Sequence, residues 1–272
     1  MSESNKPKII LVGGAEIAIE NRPLGQLQFG PENPGTISLR CIGKAWDLSA
    51  ELVKDGYHVE FVSVAGNDFA GIAMKSQLDK IGVGVDFFHL IDGKDTATTH
   101  NILNLLDQPE MEFSNTDIFS SMTIDMIDQA TKHFASADCI VIETRFAEEV
   151  LVHITTSFPQ IPILLLPDSE ENAVKAFGIL DKIQGVLTGR RQAEVLSNLS
   201  ILSEEELLAA ADWFYKQGIS KVFIDLGVGG VTYQDEMGVG VERPGPVRIA
   251  TIVEGFVNHE TAAKTAAESI QT

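Results

Sequence analysis

The residues of this chain best suited to handling a phosphate are glycines that follow apolar runs. Gly13–Gly14 closes KIILVGG, the GVGG of Gly227–Gly230 follows KVFID, and Gly255 lies in ATIVEGFVNHETAA (250–263) with Asn258 three residues on. A glycine turn lets backbone N–H groups converge on an anion. An asparagine can hydrogen-bond a hydroxyl but cannot take its proton as a carboxylate would. On its own GVGG reads as a turn between two strands. The stretch around Gly255 and Asn258 stays open as an active site, the remains of one, or a loop before a last helix.

Other chemistries are excluded by pattern. GGAEIAI is not the dinucleotide-binding G-x-G-x-x-G, and neither a P-loop nor a G-x-S-x-G elbow occurs. The six histidines (58, 89, 100, 133, 153, 259) show no ligand spacing, so no metal ligand is assigned. Glu204–Glu206 reads as a helix start, and Cys41 and Cys139 read as buried free thiols in a reducing compartment.

The elements that must position such residues are legible from periodicity. Apolar runs suited to buried parallel strands occur at 8–14, 58–65, 138–143, 161–166, 185–188 and 221–227, with helical segments between them. Residues 68–81 place Phe69, Ile72, Ala73, Leu78 and Ile81 on one helical side. Ser203–Gln217 opens with a capping box and buries Leu207, Leu208, Ala211 and Phe214. This alternation predicts an α/β sandwich with helices on both faces of a mostly parallel sheet and ligands at the carboxyl ends of its strands. Short alternating runs over 17–39 and 96–106 predict a small separate β-sheet, placed to act as a lid.

With 272 residues, 44% hydrophobic, the chain can bury a full core as one domain, 1–272. Its net charge of -19 argues against nucleic acid and anionic membrane as partners. No apolar run is long enough to span a bilayer and the first residues lack a signal-peptide pattern, so the expected setting is cytoplasmic.

Read in order, several stretches resemble the PfkB, or ribokinase-like, carbohydrate kinases. PGTISLRCIGKAWDLSAELVKDGYHVEFVSVAGNDFAGIAMKSQLDKIGVGVD is similar to their N-terminal half. Gly66, Asp68 and Gly71 match its V-G-x-D-x-x-G signature and Gly82–Val83 the end of its helix. Thr96–Thr99 falls on the substrate-side threonine run, RRQAEVLSN on N-x-x-E-x-x-x-L, and DLGVGGVTY on the nucleotide-side glycine turn. PGTISL and TATTHNILNLLD look most like the pseudouridine kinases of that family.

The resemblance implies a ribokinase-like three-layer sandwich with a β lid, and transfer of the γ-phosphoryl of ATP, with Mg²⁺, to a hydroxyl of a small sugar or nucleoside. In that family the Asp of a G-A-G-D turn removes the hydroxyl proton, and the turn with the following helix N-terminus holds the transferring phosphoryl group. It further implies substrate-side positions at Gly43, Asp47, Thr98 and Asn101, nucleotide-side positions at Gly227, Gly230 and Gln192, and a homodimer formed through the lids.

The departures gather where the chemistry belongs. ATIVEGFVNHETAA takes the place of the G-A-G-D motif, with Gly255 at the anion-hole glycine and Asn258 at the base. Phe256 and Val257 stand between them, and no Asp follows Asp235. Gln192 replaces the Glu that helps organise Mg²⁺, Gly189 an Asn, Ala18 a substrate Asp and Asp47 a substrate Asn. The resulting expectation is a PfkB-family kinase homologue impaired in phosphoryl transfer. The alternative is a non-catalytic pseudokinase that binds a ligand or a partner and needs neither ATP nor Mg²⁺.

Overall fold

The computed structural model describes residues 6–271. From the amino end, β1 (Lys8–Val12) leads into β2 (Glu16–Pro23) and β3 (Gly35–Ile42), then α1 (Lys44–Lys54), β4 (His58–Gly66), α2 (Phe69–Lys80) and β5 (Phe88–Ile91). Two more strands follow, β6 (Thr98–Leu103) and β7 (Pro109–Asn115). Next come α3 (Ile124–Gln129), α4 (Thr131–Ala135), β8 (Cys139–Glu143), α5 (Glu148–Ser157), β9 (Ile163–Leu166) and α6 (Glu170–Ala173). The chain continues with β10 (Gly185–Gly189), α7 (Arg190–Ser197), α8 (Glu204–Lys216), β11 (Lys221–Asp225), β12 (Val231–Asp235), β13 (Gly238–Glu242), α9 (Ile249–Val257) and α10 (Ala262–Ser269).

Nine strands form the main sheet in the order β13-β12-β11-β10-β9-β8-β1-β4-β5, parallel from β11 through β5 and antiparallel at β12 and β13. All six apolar runs picked out in the sequence are neighbours in it. Alternate residues of these strands serve opposite cores. Ile10, Val12, Ile140 and Ile142 join Phe134, Phe146 and Phe214 on one face. Ile9, Leu11, Cys139 and Val141 join Leu52, Val253 and Phe256 on the other. The fold is the expected three-layer α/β sandwich.

The remaining strands form a second sheet, β3-β2-β6-β7, with β2 and β6 parallel and the outer pairs antiparallel. It departs from the expected limits: residues 24–34 are a loop, and β7 supplies a strand beyond Leu106.

Helix α2 presents a different side from the one its apolar residues suggest. Phe69 is 89% exposed, Ile72 and Ile81 are exposed as well, and Gly71, Met74 and Leu78 face inward. The reason is Gly71: a Cβ there would strike the carbonyl of Gly66 and sit 2.8 Å from Thr96 Oγ1, so close backbone approach orients the helix. At α8 the capping box between Ser203 and Glu206 forms as expected, while Leu208 is only half-buried and Ala210 takes its inward place. Cys139 is buried, but Cys41, on the lid strand β3, is half-exposed. Burial raises the pKa of both thiols.

Candidate functional site

The parallel strands end in a row of residues along one edge of the main sheet. Gly13–Gly14 follow β1, Thr144 and Arg145 follow β8, Asp168 follows β9, Gln192 lies in the first turn after β10, and Gly227 follows β11. Gly227 (φ 63°) and Gly230 (φ 103°) bracket a single 3-10 turn, a shape only glycine adopts without strain. Gly43 (φ 140°) precedes α1, and a Cβ there would lie 2.7 Å from the carbonyl oxygen of Gly14. Asp47 sits in the first turn of α1, its pKa raised by burial and partly restored by Arg40. Gly43, packed beside the end of β1, and Gln192 and Gly227, beyond β10 and β11, therefore lie along one edge, on strands about 14–19 Å apart across three to four strand spacings.

Between them lies an ionic cluster that sequence reading did not single out. Arg145 is 13% exposed, with Nη1 3.2 Å from Glu16 Oε1 and Nε 3.1 Å from Glu143 Oε2 and 3.6 Å from Asp168 Oδ2. Its Nε–H makes no hydrogen bond, so the contact to Glu143 is ionic only. The guanidinium lies 4.9 Å from the centre of the Phe119 ring. Burial alone would lower the Arg145 pKa, but Glu143, Asp168 and Glu16 raise it. Glu143 is 1% exposed and accepts hydrogen bonds from Gly14 N (2.8 Å) and from Ala45 N (3.1 Å), at the start of α1. Burial raises its pKa, and Arg145 and the Gly14 amide oppose that shift. Asp168 accepts from Thr144 Oγ1 (2.6 Å) and Asn172 Nδ2 (2.9 Å). The signal for the cluster was a charged Glu-Thr-Arg at the carboxyl end of an apolar strand.

Over this cluster opens a cleft of 640 Å³ between the lid, the turn at 116–120 and α6. Its walls include the hydroxyls of Thr99, Ser114 and Ser169, the ring of Phe119 and the Lys175 ammonium. Thr99 Oγ1 donates to Glu16 Oε2 (2.8 Å). Thr98 does not reach the cleft: it pairs with Ile17, whereas Thr99 pairs with Ala18, so the two threonines point to opposite faces of the lid sheet. Asn101 shares the face of Thr99, and its Oδ1 is buried without a partner. Thr96, at the head of the run, is structural. Asp68 caps α2 at Gly71 N (2.8 Å) and also accepts from Thr96 N (2.8 Å) and Thr96 Oγ1 (2.7 Å).

Gly255 and Asn258, expected in a turn that leads into a helix, lie instead within and at the end of one. Gly255 lies inside α9, where a Cβ would collide with Thr265 of α10, and Asn258 follows the last residue of that helix. Asn258 Nδ2 donates to Tyr57 Oη (3.3 Å), beside the first residue of β4, and Phe256 packs against Gly185, the first residue of β10. Both therefore sit toward the amino edge of the sheet, away from the strand ends described above. Helix α9 starts at Ile249, preceded by Arg248, and its first turn carries no acidic side chain. Arg248 pairs with Glu51 (3.3 Å), Glu254 (3.4 Å) and Asp55.

Among the described residues no three His, Cys, Asp or Glu side chains group as metal ligands, and no helix is long and apolar enough to cross a membrane. The sequence pattern of the pfkB family carbohydrate kinases matches residues 49–253, well over half of the chain. The chain belongs to the PfkB family. This PfkB chain is 25% identical to the pseudouridine kinase of Escherichia coli K12 over 233 residues, 86% of this chain and 74% of the relative. A carbohydrate kinase from Agrobacterium tumefaciens superposes with a TM-score of 0.83 at 16% identity, covering 97% of this chain and 88% of that one. The Arabidopsis thaliana ribokinase complexed with ribose and ATP superposes with a TM-score of 0.81 at 16% identity, covering 96% and 89%. At these identities the two solved structures share the fold with this PfkB chain; the chemistry must come from the residues.

Proposed function

We propose that this PfkB chain binds a small sugar or nucleoside in the cleft beneath its lid and is impaired in transferring a phosphoryl group to it. The observation that carries this reading is the start of α9. In the family a carboxylate at a helix N-terminus takes the hydroxyl proton, and here that helix opens Arg248-Ile249-Ala250 with Ala250 buried. Loss of one positioned general base removes ~10²–10⁴ in rate. The nucleotide side supports the same reading. Gln192 offers a neutral amide where a carboxylate would help organise Mg²⁺, while the glycine turn at Gly227–Gly230 keeps a shape suited to a polyphosphate.

Binding and turnover separate by experiment. Thermal shift with ribose, fructose, pseudouridine and Mg·ATP should show a higher Tm with at least one sugar or nucleoside, because a ligand of the folded state stabilises it. ADP release across the same acceptors should stay at the level without protein. Ready turnover would overturn the impairment, and no shift with any sugar or nucleoside would overturn the binding role.

A wholly non-catalytic role has its own support. Arg145 Cδ and the Phe119 ring occupy the space directly over Gly14, so protein already fills part of the strand-end crevice on the substrate side. Complete absence of ADP release, with sugar binding intact, favours this second reading over residual catalysis.

The lid suggests a homodimer. Cross-strand register puts Ile19, Ile37, Leu39, Ile102, Met111 and Phe113 on the face of the lid sheet that carries Thr98, and Ile37, Leu39, Met111 and Phe113 are exposed. A second copy of the same face would cover this surface isologously.

A further inference from the structure

The cleft contains an arginine and a lysine, which at first sight suits an anionic ligand. The geometry points the other way. The guanidinium of Arg145 is already surrounded by Glu16, Glu143 and Asp168, with Phe119 beside it, and has little charge left to offer. Lys175 is the remaining cation, half-buried and directed at the carbonyl of Arg145 (3.4 Å). The lining also includes Asp117, on the 116–120 turn, and Glu171, on α6. Both are exposed, and neither has an ion-pair partner among the described residues. Glu16, Asp117, Asp168 and Glu171 against Arg145 and Lys175 leave the lining formally two charges negative. A concave wall of one sign concentrates counter-charge. The hydroxyls of Thr99, Ser114, Thr116, Ser120 and Ser169 meanwhile supply donors and acceptors for a polyhydroxylated ligand.

We propose that the cleft selects a polyol or sugar bearing an ammonium group, and that Asp117 on the 116–120 turn and Glu171 on α6 are the residues that discriminate for it. This rests on the cleft being the sugar-binding site. Carboxylated or phosphorylated versions of the same sugar bind more weakly, because Arg145 is held by its buried carboxylates and Lys175 alone stands against Asp117 and Glu171.

Calorimetric titration of the full chain with matched probes tests this: glucosamine, glucose and glucuronate, and the five-carbon set 1-amino-1-deoxyribitol, ribitol and ribonate. The amine should bind roughly tenfold tighter than the neutral compound at low salt. The advantage should shrink as salt screens it, and the acid should bind more weakly than the neutral compound. In Asp117→Asn and Glu171→Gln, checked for unchanged Tm, the ratio of amine to neutral-probe affinity should fall toward one. Equal binding of amine and neutral probe, or an amine advantage unchanged in both variants, overturns the selectivity and leaves the sugar site standing. Failure of all six probes to bind overturns the selectivity; if ribose, fructose and pseudouridine also leave the Tm unchanged, the sugar site itself falls with it.

Discussion

Asn258 and Tyr57 are joined by a hydrogen bond of 3.3 Å that ties the end of α9 to the turn before β4, at the amino edge of the main sheet. A residue fixed there is remote from the strand ends that carry Gly14, Arg145, Asp168 and Gly227. Asn258→Asp should therefore leave ADP release at the level without protein, with or without sugar. It should also lower Tm slightly, because it adds a negative charge beside Glu254, Asp55 and Glu260, the groups that already raise the Tyr57 pKa after burial. A rise in ADP release would place the catalytic position at Asn258 after all.

Removing the Arg145 guanidinium leaves three carboxylates without their cation in a buried setting. Arg145→Met should cost about 3–5 kcal/mol in urea unfolding at neutral pH. Its pH dependence follows from Glu143, whose folded pKa lies above the ordinary 4.5. A raised carboxyl binds more protons folded than unfolded, so its stabilising effect is full below 4.5 and is lost as pH rises through the folded value. Loss of Arg145 raises that value further, so the deficit of the variant should widen with rising pH and narrow in acid. A flat difference would mean that Glu143 and Arg145 are not coupled.

Asp68 gives the opposite sign. Burial would raise its pKa, but the Gly71 amide and the Thr96 hydroxyl and amide hold it below the ordinary 3.8. The stability it contributes is present above 3.8 and is lost as pH falls through the folded value. Asp68→Ala should cost about 1–3 kcal/mol at neutral pH, and progressively less toward pH 2. Guanidinium melts at several pH values read this directly.

Leu39→Glu and Phe113→Glu, on the exposed apolar face of the lid, should convert a dimer to monomers in sedimentation velocity without lowering the Tm of the monomer. Unchanged sedimentation in both variants would exclude that face as the contact.

The parallel core was legible because strands buried on both faces read as unbroken apolar runs, and each such run became a strand of the main sheet. The orientation of α2 was not, because a glycine contact outweighed the apolar stripe containing Phe69. The misplaced motif has a similar origin. A glycine followed three residues later by Asn resembles a phosphate turn, but Gly255 is small because Thr265 of α10 crosses α9 at that point. Arg145 escaped notice because its meaning depends on Glu16 and Asp168, which lie 129 and 23 residues away in the chain and meet it only in the fold. Thr98 and Thr99 differ by one position, and strand register alone decides which of them faces the cleft.

The bonds from Asp68 to Gly71 and Thr96 weld the start of α2 to the strap that leads back into the lid, and Gly66 and Gly71 leave no room for a side chain in that joint. The Gly-x-Asp-x-x-Gly pattern is thus a construction detail of how the lid is hinged. A genome scan keyed to it would retrieve chains that share this joint, and would say nothing of the chemistry at the strand ends.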